Sequence, residues 1–125
     1  MREYVVAIVG ATGAVGTEMI RTLEKRHFPV KKLRLLASER SLGRKLKFRG
    51  VDIAVETLTE DSFKGVELAL FSAGAERSRQ YAPAAVASGT VVVDNSSAFR
   101  MDDEVPLVVP EINPQEVARH HGIIA

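Results

Sequence analysis

The 125-residue sequence contains no cysteine. That excludes disulfides, thiolate metal sites and a cysteine nucleophile among these residues. No apolar run approaches the ~20 residues of a membrane span. The opening Met1-Arg-Glu-Tyr4 lacks the apolar stretch of a secretory signal. Neither charge sign dominates: 17 Lys and Arg stand against 16 Asp and Glu, a net charge of +1. No broad surface for nucleic acid or another polyanion is implied. Repeats, low-complexity stretches and charge runs are missing too. The expectation is a cytoplasmic protein with neither nucleic acid nor membrane as partner. What is present is ordinary for a globular domain, 46% hydrophobic and 26% charged residues. The length predicts one domain, with a core large enough to fold without staples.

The most informative segment is the first. Tyr4-Val-Val-Ala-Ile-Val9 is an apolar β-branched run, and Gly10-Ala-Thr-Gly-Ala-Val-Gly16 follows at once. Such a run suits a strand buried on both faces. The glycines allow a tight turn and a close backbone approach to a pyrophosphate. A helix starting near Gly13 or Ala14 aims free N–H groups and the positive end of its dipole at that pyrophosphate. The spacing is GxxGxxG, not the GxGxxG of the NAD fingerprint, so an ordinary strand–helix turn is the competing reading. Its place after the first strand favours a nucleotide.

The first helix is predicted from about Ala14 to Arg26, with Val15, Met19, Ile20 and Leu23 as its apolar stripe. His27-Phe-Pro29 ends it, with His27 favoured by the dipole. Leu33–Ala37 reads as the second strand. Lys45–Leu58 reads as one or two short strands with a turn at Arg49-Gly50. Val66–Phe71 is the next buried strand, ending in Ser72-Ala-Gly74. Glu76–Ser88 reads as a helix closed by Gly89. Pro83 within it predicts a kink or a second segment. Thr90–Val93 and Leu107–Val109 read as strands. Pro114 opens a short helix capped by Asn113, and Gly122–Ala125 starts a last strand. Strands alternating with helices predict α/β architecture: a doubly wound, mostly parallel, Rossmann-like sheet.

In such a sheet ligands gather at the carboxyl ends of the strands. Four polar or glycine clusters fall there: 10–16, 38–41, 72–75 and 94–97. The second discriminates between cofactors. An NAD reader carries an acid at the end of its second strand to bind ribose hydroxyls. Here the residues are Ser38-Glu-Arg-Ser41. Arg40 can pair with a 2′-phosphate, and Ser38 and Ser41 can donate to it, which favours NADP. Glu39 keeps NAD open, and a solvated Arg40 is the bland alternative. The fourth cluster, Asp94-Asn-Ser-Ser-Ala-Phe-Arg100, can hold a phosphate or carboxylate; a capped turn with an exposed arginine competes. Glu111 and Asn113 read equally as site polars or as turn and cap residues. His120 and His121 are adjacent, face different ways, and make a poor metal pair, so no metal site is expected.

Taken together, Gly10-Ala-Thr-Gly-Ala-Val-Gly16, Ala37-Ser-Glu-Arg-Ser41, Phe71-Ser-Ala-Gly74, Val93-Asp-Asn-Ser-Ser-Ala-Phe-Arg-Met101, Val109-Pro-Glu-Ile-Asn113 and Gly122-Ile-Ile-Ala125 resemble the N-terminal part of the bacterial aspartate-semialdehyde dehydrogenases. The Asp94–Met101 string is the most specific piece. The related acetylglutamyl-phosphate reductases share the reaction type and are the alternative, with a stand-alone nucleotide-binding module as another. The resemblance implies reduction of aspartyl β-phosphate with NADPH to aspartate semialdehyde and phosphate, in amino-acid biosynthesis. In that scheme a cysteine thiolate attacks the acyl phosphate, and hydride then reduces the thioester.

Carried over by residue, the resemblance places Gly10, Thr12, Gly13, Ala14 and Val15 at the NADP pyrophosphate. Ser38, Arg40 and Ser41 would hold the 2′-phosphate, and Ala73 and Gly74 would lie under the cofactor. Arg100 would bind the substrate phosphate, with Asn95 beside it. Ala75 and Glu76 depart from the pattern, putting a methyl and a carboxylate where the family often carries a second glycine. Residues 1–125 are therefore expected to form an NADP-binding domain at the start of a longer, homodimeric enzyme. Its catalytic cysteine and histidine would belong to a C-terminal domain outside these residues, so no catalytic residue is assigned within the chain.

Overall fold

The computed structural model describes residues 2–125. Seven strands form one sheet in the order β3-β4-β2-β1-β5-β6-β7. They are β1 (Tyr4–Val9), β2 (Val30–Ala37), β3 (Lys45–Phe48), β4 (Val51–Thr57), β5 (Leu68–Phe71), β6 (Val91–Asp94) and β7 (Ile123–Ile124). Every pairing is parallel except the β3–β4 hairpin. Two helices complete it, α1 (Ala14–Lys25) and α2 (Ala75–Ala87). Among the described residues no helix is long and apolar enough to cross a membrane.

The period of two along β1 builds both faces of the core. Val6 and Ile8 join Leu33, Leu35 and Val55 beneath Ile20 and Leu23 of α1. Ala7 and Val9 join Leu36, Ala69, Phe71 and Val92 beneath Ala82 and Ala85 of α2. Phe63 completes the second cluster, its ring stacked on Phe71 at 5.8 Å. With α1 and α2 on opposite faces, the sheet is doubly wound, as the sequence predicts.

Local chemistry explains the boundaries. Helix α1 closes with His27 in the left-handed region at φ 53°. There the His27 N–H donates to the Glu24 carbonyl and the Phe28 N–H to the Leu23 carbonyl, the paired bonds of a Schellman stop. The β3–β4 turn uses Arg49 and Gly50, both at positive φ, as a two-residue hairpin of right-handed twist requires. Arg34 ties β2 to β4 through Glu56, with Nη2 at 2.9 Å from Oε1, and also donates to the Ser62 carbonyl.

Four expectations need correction. Leu107–Val109 is no strand: Pro106 and Pro110 flank it and remove donors. Among the described residues two bonds tie it to the sheet edge, the Val108 N–H to the Ala125 carbonyl and the Ala125 N–H to the Pro106 carbonyl. Val15 is not on the buried stripe of α1; it is 46% exposed, and Gly16, Ile20 and Leu23 face the sheet. Pro83 does not divide α2, which runs unbroken through it; the proline sits on the exposed side of the helix. Finally, the short helix opened by Pro114 is present as a 3-10 helix over Pro114–Arg119, but without the expected side-chain cap. Asn113 does not cap it: its Oδ1 accepts from the Val109 N–H and its Nδ2 donates to the Leu107 carbonyl.

Candidate functional site

The sheet order places β1 between β2 and β5, where the chain reverses its direction of travel across the sheet. A crevice opens at the carboxyl ends of strands at such a switch point. Gly10 leaves β1 at φ +87°, and a Cβ there would lie 2.9 Å from the Ser72 backbone. The turn after β1 and the turn after β5 are thus in direct contact. Ser72 reinforces the contact by donating its hydroxyl to the Val9 carbonyl at 3.2 Å. Gly16 is tighter still: its Cβ would come within 2.1 Å of the Gly10 carbonyl oxygen. Only glycine lets the first turn of α1 seat against the loop.

Two other glycines keep the crevice bare. A Cβ on Gly13 would meet nothing closer than 3.5 Å, and one on Gly74 nothing within 4 Å. Helix α1 begins without a side-chain cap and with no acid in its first turn. Its first bond runs from the Thr17 N–H to the Gly13 carbonyl at 3.0 Å, so the N–H groups of Ala14, Val15 and Gly16 have no acceptor within the helix. Those unpartnered donors, with the dipole behind them, suit an anion. Helix α2 differs: Gly74 precedes it at φ 91°, and Glu76 lies in its first turn. Ala75 is half-buried and Glu76 exposed.

The end of β2 meets the same crevice. Ser38 precedes a 3-10 turn over Glu39–Ser41. Ser41 is buried, and its hydroxyl lies 3.0 Å from the Thr12 hydroxyl. Residues separated by 29 positions thereby join the glycine turn to the Ser38–Ser41 loop. Arg40 and Glu39 are exposed. Among the described residues the Arg40 guanidinium makes no hydrogen bond or ion pair, so its donors are available.

Asn95 and Arg100 belong to the next turn along the sheet. Asn95 leaves β6 beside the end of β5, its N–H donating to the Phe71 carbonyl at 3.0 Å. Arg100 lines a shallow cleft of about 420 Å³ with Asp102, Asn113, Glu116 and Arg119. The structure therefore unites the clusters 10–16, 38–41 and 72–74 and sets Asn95 next to them, while the Arg100 side chain points into a neighbouring cleft. Glu111 is exposed, and the His120 Nδ1 accepts from the Gly122 N–H at 2.9 Å. Sequence reasoning missed Ser78. It is fully buried and donates to Asp94, itself 3% exposed. A serine in the alanine-rich stripe of α2 is the only signal the sequence offered.

Comparison with known proteins identifies the family. Residues 5–120 match the family described as semialdehyde dehydrogenase, NAD binding domain. The aspartate-semialdehyde dehydrogenase of Bacillus subtilis is 53% identical over 120 residues, 96% of this chain and 35% of the relative. That of Aquifex aeolicus is 55% identical over 125 residues, covering 98% of the chain and 37% of the relative. The chain thus spans little more than a third of the length of these relatives. Among solved structures, aspartate semialdehyde dehydrogenase II of Vibrio cholerae, complexed with ASA, superposes with a TM-score of 0.96 at 49% identity, covering 99% of this chain and 41% of that one. The Candida albicans enzyme with NADP superposes at 0.81 and 28% identity, covering 94% and 36%.

Proposed function

The chain belongs to the semialdehyde dehydrogenase NAD-binding domain family, and from that premise we propose that it is the NADP-binding part of an aspartate-semialdehyde dehydrogenase. The observation that carries the choice of cofactor is the Thr12–Ser41 contact at 3.0 Å. It brings the loop bearing Arg40, whose guanidinium has no partner among the described residues, against the glycine turn at the start of α1. The bare faces of Gly13 and Gly74 support the fit, since a Cβ at either would fill the cradle.

In this reading Gly10, Thr12, Gly13, Ala14 and Val15 line the pyrophosphate site: the free N–H groups of Ala14 and Val15 and the Thr12 hydroxyl reach the anion, while the Gly10 and Gly13 N–H groups hold the turn through the Leu36 and Gly10 carbonyls. Ser38, Arg40 and Ser41 bind the 2′-phosphate, with Arg40 supplying the charge. Ala73 and Gly74 form the floor beneath the nicotinamide side. Arg100 and Asn95 orient the phosphate of the acyl-phosphate substrate. Bound NADPH supplies the hydride that turns aspartyl β-phosphate into aspartate semialdehyde with release of phosphate. The nucleophile, the acid–base group and the dimer surface belong to the longer enzyme. The 125 residues alone bind cofactor and do not turn over, since they contain no cysteine.

Calorimetric titration of the chain with NADP and NAD tests this. NADP binds more tightly, and Arg40→Ala weakens it by ~1–3 kcal/mol while leaving NAD unchanged. Equal losses for both cofactors overturn the assignment. In a coupled assay, substrate-dependent NADPH oxidation by these residues above the uncatalysed rate would place the chemistry elsewhere.

A further inference from the structure

Asp94 is a carboxylate that the proposed chemistry leaves idle. It ends β6 and is 3% exposed. Among the described residues it has no cationic partner, yet its acceptors are used. Oδ1 takes the Ser78 hydroxyl at 2.8 Å and the Ser96 N–H at 3.1 Å, and Oδ2 takes the Ser96 hydroxyl at 2.7 Å. The Ser96 oxygen in turn accepts the Ala98 N–H at 3.1 Å. Burying an acid without a counter-charge is costly, and a strand end can be filled by an apolar side chain. What the carboxylate provides here is shape. The backbone from 94 to 98 is wrapped around it, and Ser78 fastens the knot to α2, whose N-terminus lies beside the cofactor crevice.

We propose that Asp94 is the positioning residue of an anion-binding loop, holding Asn95 beside the crevice and Arg100 at the neighbouring cleft in fixed places while its own carboxyl group faces inward. The proposal rests on the reading of Arg100 and Asn95 as phosphate ligands. With both carboxyl oxygens bonded to Ser78 and Ser96, Asp94 faces the loop, and among the described residues it makes no ion pair with Arg100. Asn95 is pinned through its backbone to Phe71, and the Arg100 N–H closes the far side of the loop on the Ser97 carbonyl. Both side chains then project from a loop whose shape is set before ligand arrives, which reduces the ordering cost of binding. Ser96 works through the same network as the relay to Ala98.

The test uses the ¹⁵N-labelled chain and two probes on the same samples, inorganic phosphate and NADP. Phosphate shifts the Arg100 Nε–H and Asn95 side-chain resonances of the native protein, and Arg100→Ala abolishes the response. Asp94→Ala and the milder Ser96→Ala weaken phosphate by about tenfold, the worth of one charge-assisted contact. NADP affinity stays within about twofold, since that site shares no partner with the network. Asp94→Asn, which keeps the Oδ1 acceptor for Ser78 and the Ser96 N–H, restores most of the phosphate response. Native phosphate affinity in folded Asp94→Ala or Ser96→Ala overturns the proposal. So does a parallel loss of NADP and phosphate in Ser96→Ala, which marks a purely structural role. A native chain that binds NADP but shows no Arg100-dependent phosphate response removes the anion-loop reading itself, and the proposal with it.

Discussion

The crevice between β1 and β5 and the segment after β6 are built by different means. In the crevice the backbone does the shaping: Gly10 and Gly16 allow contacts that any Cβ would block, and Gly13 and Gly74 leave open space. Beneath it Val6, Ile8 and Val9 are wholly buried, whereas beyond β6 Met101 is 94% and Ile112 77% exposed. There, order comes from side chains: Asp94, Ser78 and Ser96 hold one loop, and Asn113 holds another. A site shaped by backbone has lost most of its freedom before ligand binds. One shaped by side-chain hydrogen bonds can be undone by removing single atoms.

The sharpest way to break the first kind is Gly16→Ala. With its Cβ 2.1 Å from the Gly10 carbonyl oxygen, backbone must move, and we expect a loss of about 2–3 kcal/mol in urea denaturation. NADP binding should fall with it. Gly13→Ala separates shape from stability. Its Cβ has room in the free protein, so unfolding changes by about 0.5–1 kcal/mol from the altered N-cap, while NADP binding suffers far more. Comparable losses at the two glycines in both assays would contradict the distinction.

Smaller effects test the frame that both regions share. The Arg34 hydrogen bond and charge hold the Glu56 carboxyl below its ordinary value of 4.5 despite an opposing contribution from burial. Because the folded-state value is depressed, ionised Glu56 favours the folded protein. That contribution is complete above the ordinary value and fades as pH falls through the lowered one. Glu56 is half-exposed, so Glu56→Gln costs at most about 1 kcal/mol at neutral pH. The gap from the native protein should close as the pH falls below 4.5. A gap that widens in acid would reverse the sign. Smallest is His27→Gly at the α1 stop. It relieves a left-handed residue at φ 53° and should raise stability by about 0.5 kcal/mol, net of the entropy glycine adds to the unfolded chain. Thermal unfolding would register a lower midpoint if the His27 side chain contributes more than its strain costs.

Much of the backbone-shaped region was legible in advance. The β1 run and its glycines announce themselves by local pattern, as does the Arg49-Gly50 hairpin turn. Val15 misled because helical spacing alone admits two neighbouring stripes; the choice was made by Gly16 packing on Gly10, a contact no periodicity reveals. Leu107–Val109 misled because β-branched composition does not supply a pairing partner, and the flanking prolines remove donors. Asp94 read as one of a polar cluster that could hold an anion or cap a turn, since the hydroxyl that makes it a buried anchor comes from Ser78, on another element. The family resemblance pointed to the turns that line the crevice by motif, but the hydrogen-bond network behind the Asp94–Arg100 string needed three dimensions.

The central claim is that the crevice between the carboxyl ends of β1 and β5 holds a nicotinamide dinucleotide, with its 2′-phosphate on the Ser38–Ser41 loop. Amide shift mapping of the labelled chain with NADP tests it most directly. The account predicts that the largest shifts fall on Thr12 to Val15, Ser38 to Ser41, and Ala73 to Gly74. NAD should reproduce the first and third groups and leave the second nearly still. Shifts centred instead on the opposite, amino-terminal end of the sheet, around Tyr4, Phe28 and Val91, would contradict it.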